Sequence, residues 1–293
     1  MRAWRVVASG VGCLLVAGAM GAQDFKVSDG KAKLQLCSGL PCVEVMVDKE
    51  KLLMAIDTGN PHSVVDVALA RNEGLDTTPY VGSDGKPRPG VSLSEVPSVK
   101  AGTVTFTSLP VLVAPLLKPK AADQMPEVDG TLGYEAFKGK VLRLDFKKNT
   151  MEVTSGGGCS GGTMKLITFG KSGPPIVTTT GFSVNGKPVV AQVDTLFAGS
   201  MVVYPDAVPK LGLTDLTKTK VREHFPYTDG GVDMLKASAT EDFAGKPFGD
   251  QPVYFATPEV HLPDGLFDAT VGFKLLAGRT VTFDFAGSCF GIL

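Results

Sequence analysis

Short stretches of alternating apolar and polar residues follow one another along most of the chain, separated by Gly, Pro, Asn and Asp. Runs rich in β-branched and aromatic residues, which are typical of strands, include KLQL, VEVMV, TVTF, VLRLDF, PVVAQV and TVTFDF. Residues 65–75 and 204–213 are the best candidates for short helices, because each segment ends in Gly-Leu, a common helix C-terminus. The pattern predicts a mainly β protein.

One arrangement of landmarks occurs twice in the same order. In each half an apolar strand leads to an aspartate, Asp57 or Asp194, and a serine follows six residues later, Ser63 or Ser200. A glycine then comes 76 residues after the first aspartate and 78 after the second, and an Asp-Phe pair begins 12 residues beyond each glycine. Three landmarks at nearly constant spacing predict two homologous lobes, residues 24–154 and 164–293, joined by a Gly/Ser-rich connector at 155–163.

The first 22 residues have the three-part layout of a secretory signal peptide. Two arginines precede an apolar run, and small residues follow it, with cleavage expected after Gly21 or Ala22. A membrane anchor is the alternative, but the apolar run is shorter than the ~20 residues that a spanning helix needs. We expect an exported protein, periplasmic or extracellular, without a membrane span after cleavage.

Four cysteines remain once the signal peptide is removed: Cys37, Cys42, Cys159 and Cys289. An even number of cysteines in an exported chain favours disulfides, and four cysteines allow three pairings. A local bridge between Cys37 and Cys42 across a hairpin is favoured, which leaves Cys159 to pair with Cys289. CxxC spacing is absent and the histidines are isolated in sequence, so neither a metal nor another cofactor is predicted.

Net charge narrows the range of partners. The formal net charge is -1 at pH 7 with neutral histidines. A chain so close to neutrality lacks the basic excess that nucleic acids or anionic membranes attract, so neither is expected as a partner.

Two short motifs resemble those of a known family. The strand that runs into Ile56-Asp57-Thr58-Gly59, and the later segment Thr131-Leu132-Gly133, are similar to the active-site elements of pepsin-like and retropepsin-like aspartic proteases. The second half offers Val193-Asp194-Thr195 and Thr270-Val271-Gly272 at matching places. The resemblance covers essentially the whole mature chain. It implies two β-barrel-like lobes, each with a ψ-shaped loop, facing each other across a substrate cleft.

The resemblance also implies a chemistry. Two carboxylates, from Asp57 and Asp194, would share one proton and activate a water molecule for peptide hydrolysis, most effectively at acidic pH. A peptide or protein substrate and a monomeric enzyme are expected.

Supporting roles follow for the neighbouring residues. Thr58 and Thr195 would exchange hydrogen bonds between the lobes, and Gly59 would let the backbone turn tightly beside the acid. Asn60 would hydrogen-bond the carboxylate. A mobile flap over the cleft is expected within residues 80–90, at Tyr80, Gly82 and Gly85.

The second motif departs from the family pattern. Leu196 and Phe197 follow Asp194-Thr195 where the first motif has Gly59 and Asn60, and the Cβ of Leu196 is expected to resist the usual turn. Three interpretations therefore stay open: an acid protease, a catalytically weak or inactive peptide-binding protein that keeps the cleft, or an unrelated β-sandwich. In the last case Asp57 would be an ordinary turn or helix-capping aspartate.

Overall fold

The structure of the protein, a computed structural model, describes residues 25–82, 85–116, 127–159, 161–168, 175–225, 232–256 and 266–293. The predicted signal peptide, residues 1–22, lies outside the described residues. Strands dominate these residues, which confirms the predicted mainly β class.

The first half contains strands β1–β11 with one α-helix and one 3-10 helix. Their bounds are β1 Lys26–Val27, β2 Gly30–Cys37, β3 Leu40–Val47, β4 Glu50–Asp57, β5 Ser63–Asp66, α1 Val67–Asn72, β6 Thr78–Val81, β7 Pro87–Ala101, β8 Val104–Ala114, β9 Gly130–Gly133, η1 Tyr134–Phe137, β10 Val141–Asp145 and β11 Thr150–Thr154.

The second half repeats this order of elements with small variations. Its bounds are β12 Gly162–Thr168, β13 Pro175–Val184, β14 Lys187–Asp194, β15 Met201–Val203, α2 Ala207–Lys210, η2 Leu216–Lys218, β16 Arg222–Phe225, β17 Val232–Phe243, β18 Lys246–Phe255, β19 Ala269–Gly272, α3 Phe273–Leu276, β20 Thr280–Asp284 and β21 Cys289–Ile292.

Three sheets organise these strands. Strands β1–β9 pair among themselves, and so do β12–β19. Between them lies a middle sheet with the strand order β2, β11, β10, β20, β21, β12, in which all pairs are antiparallel. Strands β2 and β12 belong to the middle sheet and also continue into their own halves. The middle sheet therefore fastens the two halves together.

The duplicated sequence landmarks occupy equivalent places in the two halves. Strand β4 runs parallel to β9 with Asp57 opposite Gly133, and β14 runs parallel to β19 with Asp194 opposite Gly272. The third landmark, the Asp-Phe pair, ends β10 in one copy and β20 in the other, and these two strands pair at the centre of the middle sheet. The repeat read from the sequence thus corresponds to a structural repeat.

Both predicted helices form as short elements. Asp66 begins α1, because its carboxylate accepts the Ala68 N–H at 2.8 Å. Leu75 packs against the core after α1, and Leu213 is buried after α2, so each Gly-Leu ends its helix by burying a leucine. The predicted boundaries of the lobes and of the connector, residues 155–163, remain predictions.

The cysteines follow half of the expected pairing. The structure joins Cys159 to Cys289 with their Cα atoms 5.9 Å apart. The expected bridge between Cys37 and Cys42 does not form, and both remain free thiols. In the β2–β3 hairpin Cys37 lies opposite Leu40, so Cys42 is a diagonal neighbour two residues out of register. Diagonal Cα atoms are about 7–8 Å apart, beyond the ~4.4–6.8 Å that a disulfide usually spans.

A search of the described ranges for a helix both long and apolar enough to cross a membrane finds none.

Glu241 is an unusual member of the C-terminal core. Its side chain is completely buried on β17, opposite Val184 of β13 and Gly249 of β18. Within the described part of the chain neither carboxylate oxygen has a hydrogen-bond partner. Burial raises the pKa of Glu241 from 4.5 to about 8. The folded protein therefore holds this carboxyl as a neutral acid under acidic conditions.

The burial of Glu241 predicts a fold that is more stable in acid. Below a pH of about 4.5 the carboxyl is neutral whether the chain is folded or unfolded; between about 4.5 and 8 only the unfolded chain ionises, so stability falls. In the wild-type protein this loss of stability amounts to a few kcal/mol by a pH of about 8. We expect Glu241→Gln to abolish it, so that the free energy of unfolding, measured by urea titration, depends less on pH. Exposed Glu95→Gln serves as control, and an equal flattening in both variants would contradict the assignment.

The disulfide predicts a second stability effect. Cys159 and Cys289 are 130 residues apart, so the bridge restricts a large loop of the unfolded chain. Replacing both cysteines with serine should lower the free energy of unfolding by about 2–5 kcal/mol. Cys37→Ser, which removes a free thiol, should change it by less than about 1 kcal/mol in the same urea titration. Equal losses would mean that the bridge contributes little.

Candidate active site

Asp57 lies at the end of β4, where the backbone turns away from the sheet. Its side chain is 1% exposed. The Gly59 N–H donates to Asp57 Oδ1 at 3.1 Å, and the turn continues into Asn60, whose N–H is 3.4 Å from the Asp57 carbonyl oxygen. The carboxylate is thus held by main-chain donors of its own loop.

Asp194 has an equivalent environment at the end of β14. It is 2% exposed, and its Oδ1 accepts the N–H groups of Leu196 at 2.8 Å and Phe197 at 3.2 Å. The expectation that Leu196 would resist the turn is wrong for the backbone. Leu196 is not among the residues with positive φ, and neither is Gly59, so both copies of the turn have a conformation that any residue can adopt. The second loop therefore presents its carboxylate despite the replaced glycine.

Gly59 is needed for a different reason, the close approach of the second loop. A Cβ added at Gly59 would stand 2.5 Å from Cγ of Asp194. The backbone of the first loop thus lies directly against the second carboxyl group. Glycine is required on this side because of contact between the loops, and not because of its backbone freedom.

The two carboxyl groups influence each other electrostatically. The pKa of Asp57 is raised well above its usual value, first by burial and second by the charge of Asp194. The backbone N–H groups of Gly59 and Asn60 act in the opposite direction, because they favour the anion. The arrangement can hold one proton between two acids, since two buried like charges this close are unfavourable.

Thr58 and Thr195 connect the two loops through a buried set of reciprocal hydrogen bonds. The Thr58 hydroxyl donates to the Val193 carbonyl at 2.8 Å and accepts the Thr195 N–H at 3.2 Å. In the mirrored half, the Thr195 hydroxyl donates to the Ile56 carbonyl and accepts the Thr58 N–H at 3.1 Å. Each threonine therefore binds the backbone on both sides of the other threonine's aspartate.

Comparison with known proteins agrees with this geometry. Residues 43–136 match the family model described as aspartyl protease, a range that includes the whole first loop and its glycine partner. The structure of an aspartic proteinase from Irpex lacteus resembles the fold with a TM-score of 0.54, covering 90% of this chain and 97% of that one at 13% identity. The match of residues 43–136 and the shared fold make the chain similar to pepsin-like and retropepsin-like aspartic proteases. No curated protein matches the sequence.

The side chain of Asn60 differs from its expected role. Its side-chain oxygen accepts the backbone N–H of His62 at 3.0 Å and so closes the turn, which leaves the backbone N–H to act on Asp57. The side chain of His62 is only 13% exposed, and its Nδ1 lies 3.2 Å from Glu135 Oε2. This pair joins the loop after Asp57 to η1, the element after Gly133.

Two further aspartates support the loops that carry Asp57 and Asp194, and the sequence pattern did not indicate them. Asp129 accepts the Leu53 N–H at 2.8 Å, and Asp268 accepts the Val190 N–H at 2.9 Å, so each ties the strand before its active-site loop to the strand that carries the glycine. They stand four residues before Gly133 or Gly272 in both copies, and an alignment of the two halves could have found them.

The expected flap segment connects β6 to β7, and two of its residues, 83 and 84, lie outside the described ranges. Gly82 N–H donates to the Lys86 carbonyl at 2.8 Å, and Gly85 has a φ of 74°, which favours glycine. Tyr80, however, is buried against Val64 and Leu112, so its ring belongs to a small core cluster. A role of this hairpin as a flap remains a prediction.

A search of the described ranges finds no cluster of three or more His, Cys, Asp or Glu side chains able to hold a metal.

Gly59→Ala tests the close approach between the loop of Asp57 and the loop of Asp194. The added Cβ would meet Asp194 Cγ, so the loops must separate, and we expect a loss of about 1–3 kcal/mol in the free energy of unfolding. Gly156→Ala is the matched control: its Cβ would have no neighbour within 4 Å and its φ is not positive, so a change within about 0.5 kcal/mol is expected. Equal stability of both variants would argue against close contact between the loops.

Proposed function

We propose that the protein is an aspartic endopeptidase that hydrolyses peptide bonds at acidic pH with Asp57 and Asp194. The observation that carries the proposal is the pair of buried aspartates on loops that the two threonines lock together. The match of residues 43–136 to the aspartyl protease family model supports proteolysis in general, and the finer claims rest on this geometry.

The chemistry follows from one proton shared by two acids. The ionised carboxylate takes a proton from a water molecule, which then attacks the carbonyl carbon of the peptide bond. The protonated partner donates its proton to the carbonyl oxygen. The first acid then passes the proton that it took from water to the leaving nitrogen, the C–N bond breaks, and the hydroxyl of the tetrahedral intermediate returns a proton to the partner as the carbonyl forms again. Neither a metal nor a covalent nucleophile is needed for these steps.

Acidic pH is expected because the pair works only when singly protonated. Burial and the Asp194 charge raise the pKa of Asp57, so its proton is retained well above the usual range for an aspartate. Activity is lost when pH rises until both acids are ionised, and again when pH falls until both are protonated.

Export to the periplasm or the outside of the cell is part of the proposal. The predicted signal peptide and the Cys159–Cys289 bridge support it, since disulfides persist in oxidising compartments. Two lobes in one chain, residues 24–154 and 164–293, supply both aspartates, so a monomer suffices for the site.

A peptide-binding protein without catalysis is the second candidate. Leu196 favours it, because a partly exposed leucine stands beside the second acid where the first loop has Gly59. Such a protein would keep the cleft and its affinity for extended peptides, yet would not turn them over.

The deciding experiment is digestion of an unfolded protein at pH of about 3–5 by the mature enzyme and by two single variants, Asp57→Asn and Asp194→Asn. We expect loss of at least ~100-fold in kcat for each variant, because neither acid alone can act as both base and proton donor. Exposed Asp76→Asn should retain full activity.

Two results would contradict the protease proposal. One is a folded wild-type protein that cleaves nothing across this pH range, and the other is a variant at either aspartate with undiminished activity. In the first case, saturable binding of a peptide with a tetrahedral, hydroxyl-bearing carbon in place of the scissile carbonyl would favour the peptide-binding alternative.

A further inference from the structure

Gln192 is a buried amide in the strand that delivers Asp194. It lies on β14 two residues before the aspartate and is 8% exposed. Its Nε2 donates to the carbonyl oxygen of Gly59 at 2.8 Å, which is a bond from the C-terminal half into the loop of Asp57. A buried polar side chain placed in an apolar strand needs a partner, and here its partner is in the other active-site loop.

The hydroxyl groups of Thr270 and Tyr204 orient this amide through its oxygen. The Thr270 hydroxyl donates to Gln192 Oε1 at 3.5 Å, and the Tyr204 hydroxyl lies 2.9 Å from Thr270 Oγ1. A hydroxyl has one proton, so the donation from Thr270 to Gln192 leaves Tyr204 as the donor to Thr270. With its oxygen occupied as an acceptor, the amide presents its nitrogen to Gly59.

The first half lacks this arrangement. Ala55 stands two residues before Asp57 and pairs with Thr131, as Gln192 pairs with Thr270. Without an amide at position 55, the buried Thr131 hydroxyl has no hydrogen-bond partner in the described part of the chain. The bond from Gln192 to the Asp57 loop therefore has no counterpart from Ala55 to the Asp194 loop, and this difference distinguishes the two loops.

The bonded carbonyl belongs to the residue that also donates to Asp57. Gly59 accepts the Gln192 amide with its carbonyl oxygen and donates with its own N–H to Asp57 Oδ1 at 3.1 Å. A hydrogen bond to the carbonyl oxygen holds the main chain of Gly59 and, with it, the direction of this N–H. Gln192 can thus act on Asp57 through one residue, without touching the carboxylate.

We propose that Gln192 is a positioning residue that holds the Gly59 main chain, so that the Gly59 N–H stays within hydrogen-bond reach of the Asp57 carboxylate. The proposal rests on the proposed acid protease chemistry, in which one acid keeps its proton while the other is ionised. Besides the Gly59 and Asn60 N–H groups, the group that acts on Asp57 is the Asp194 carboxylate. Gln192 opposes the effect of the Asp194 charge, because it supports a donor to the Asp57 carboxylate.

The test is the variant Gln192→Met, which keeps the length of the side chain and removes its donor. The alkaline limb of the kcat/KM profile should move to higher pH by about 0.5 unit, because Asp57 is the acid that keeps its proton and its anion loses support in the variant. We expect kcat to fall about 3–10-fold, with KM changed less than about twofold. Gln251→Met is the matched control, since Gln251 Nε2 donates to the Phe248 carbonyl at 2.8 Å in a hairpin of β18, and it should leave the profile unchanged.

A second measurement separates this proposal from the protease proposal. Titration of the Asp57 side-chain carboxyl carbon by NMR reports its protonation without turnover, and its midpoint should rise in Gln192→Met but not in Gln251→Met. If the wild-type protein is inactive and the Asp57 midpoint is nevertheless higher in Gln192→Met than in the wild type, the proposed function is overturned and the role of Gln192 stays intact.

Three outcomes would overturn the role itself. They are an unmoved alkaline limb and midpoint, an equal shift in Gln251→Met, and a change confined to KM or stability. If Gln192→Met does not fold, Thr270→Val replaces it, because it frees the Gln192 amide to rotate. A smaller shift in the same direction is then expected, and no shift would refute the proposal.

Discussion

The mutual hydrogen bonding of Thr58 and Thr195 is the constraint on which the active site depends. Each hydroxyl donates to a backbone carbonyl of the opposite half and accepts an amide from it, in surroundings that exclude water. Removing either partner would leave buried donors and acceptors unsatisfied in both halves. The two loops are therefore held as one unit, and the position of each aspartate is defined relative to the other.

Around this symmetric lock the chemistry of the two loops is asymmetric. The backbone repeats closely: the Tyr134 N–H donates to the Asn60 carbonyl, and the Phe273 N–H donates to the Phe197 carbonyl. The side chains do not repeat. Gly59 faces the second acid across a gap without room for a Cβ, whereas Leu196 fills the corresponding place in the other loop. Such asymmetry is one physical basis on which two identical acids can take different protonation states.

The strands, the short helices and the repeat of the two halves were predicted well from the sequence. Short local patterns specify each of them, and the same patterns occur in both halves. Alternating strands, Gly-Leu helix ends and repeated landmarks each describe a short stretch, and their agreement led to the two-lobed fold. The locking threonines were assigned from family resemblance. The backbone turn at Leu196 was misjudged, because the requirement for glycine at position 59 comes from the opposing loop, and no local pattern carries that information.

Long-range side-chain contacts were likewise out of reach. The contact of His62 with Glu135 joins two elements that are far apart in the sequence. Gln192 stands among the buried positions of β14. Glu241 stands between buried Ala239 and Phe243 on the inward face of β17. A polar residue at such a position was the signal that the sequence offered. The Cys37–Cys42 pairing failed for a similar reason, since it depends on the register of a hairpin and not on the spacing of two cysteines.

The middle sheet has a consequence for the order in which the molecule can assemble. It is woven from β2, from β10–β12 and from β20 and β21, so strands from the beginning and the end of the fold must meet within it. Contacts across such long stretches of chain form late in folding. A chain that has not yet supplied β20 and β21 cannot close this sheet, so the two halves and their aspartates come together only after these two strands have been synthesised.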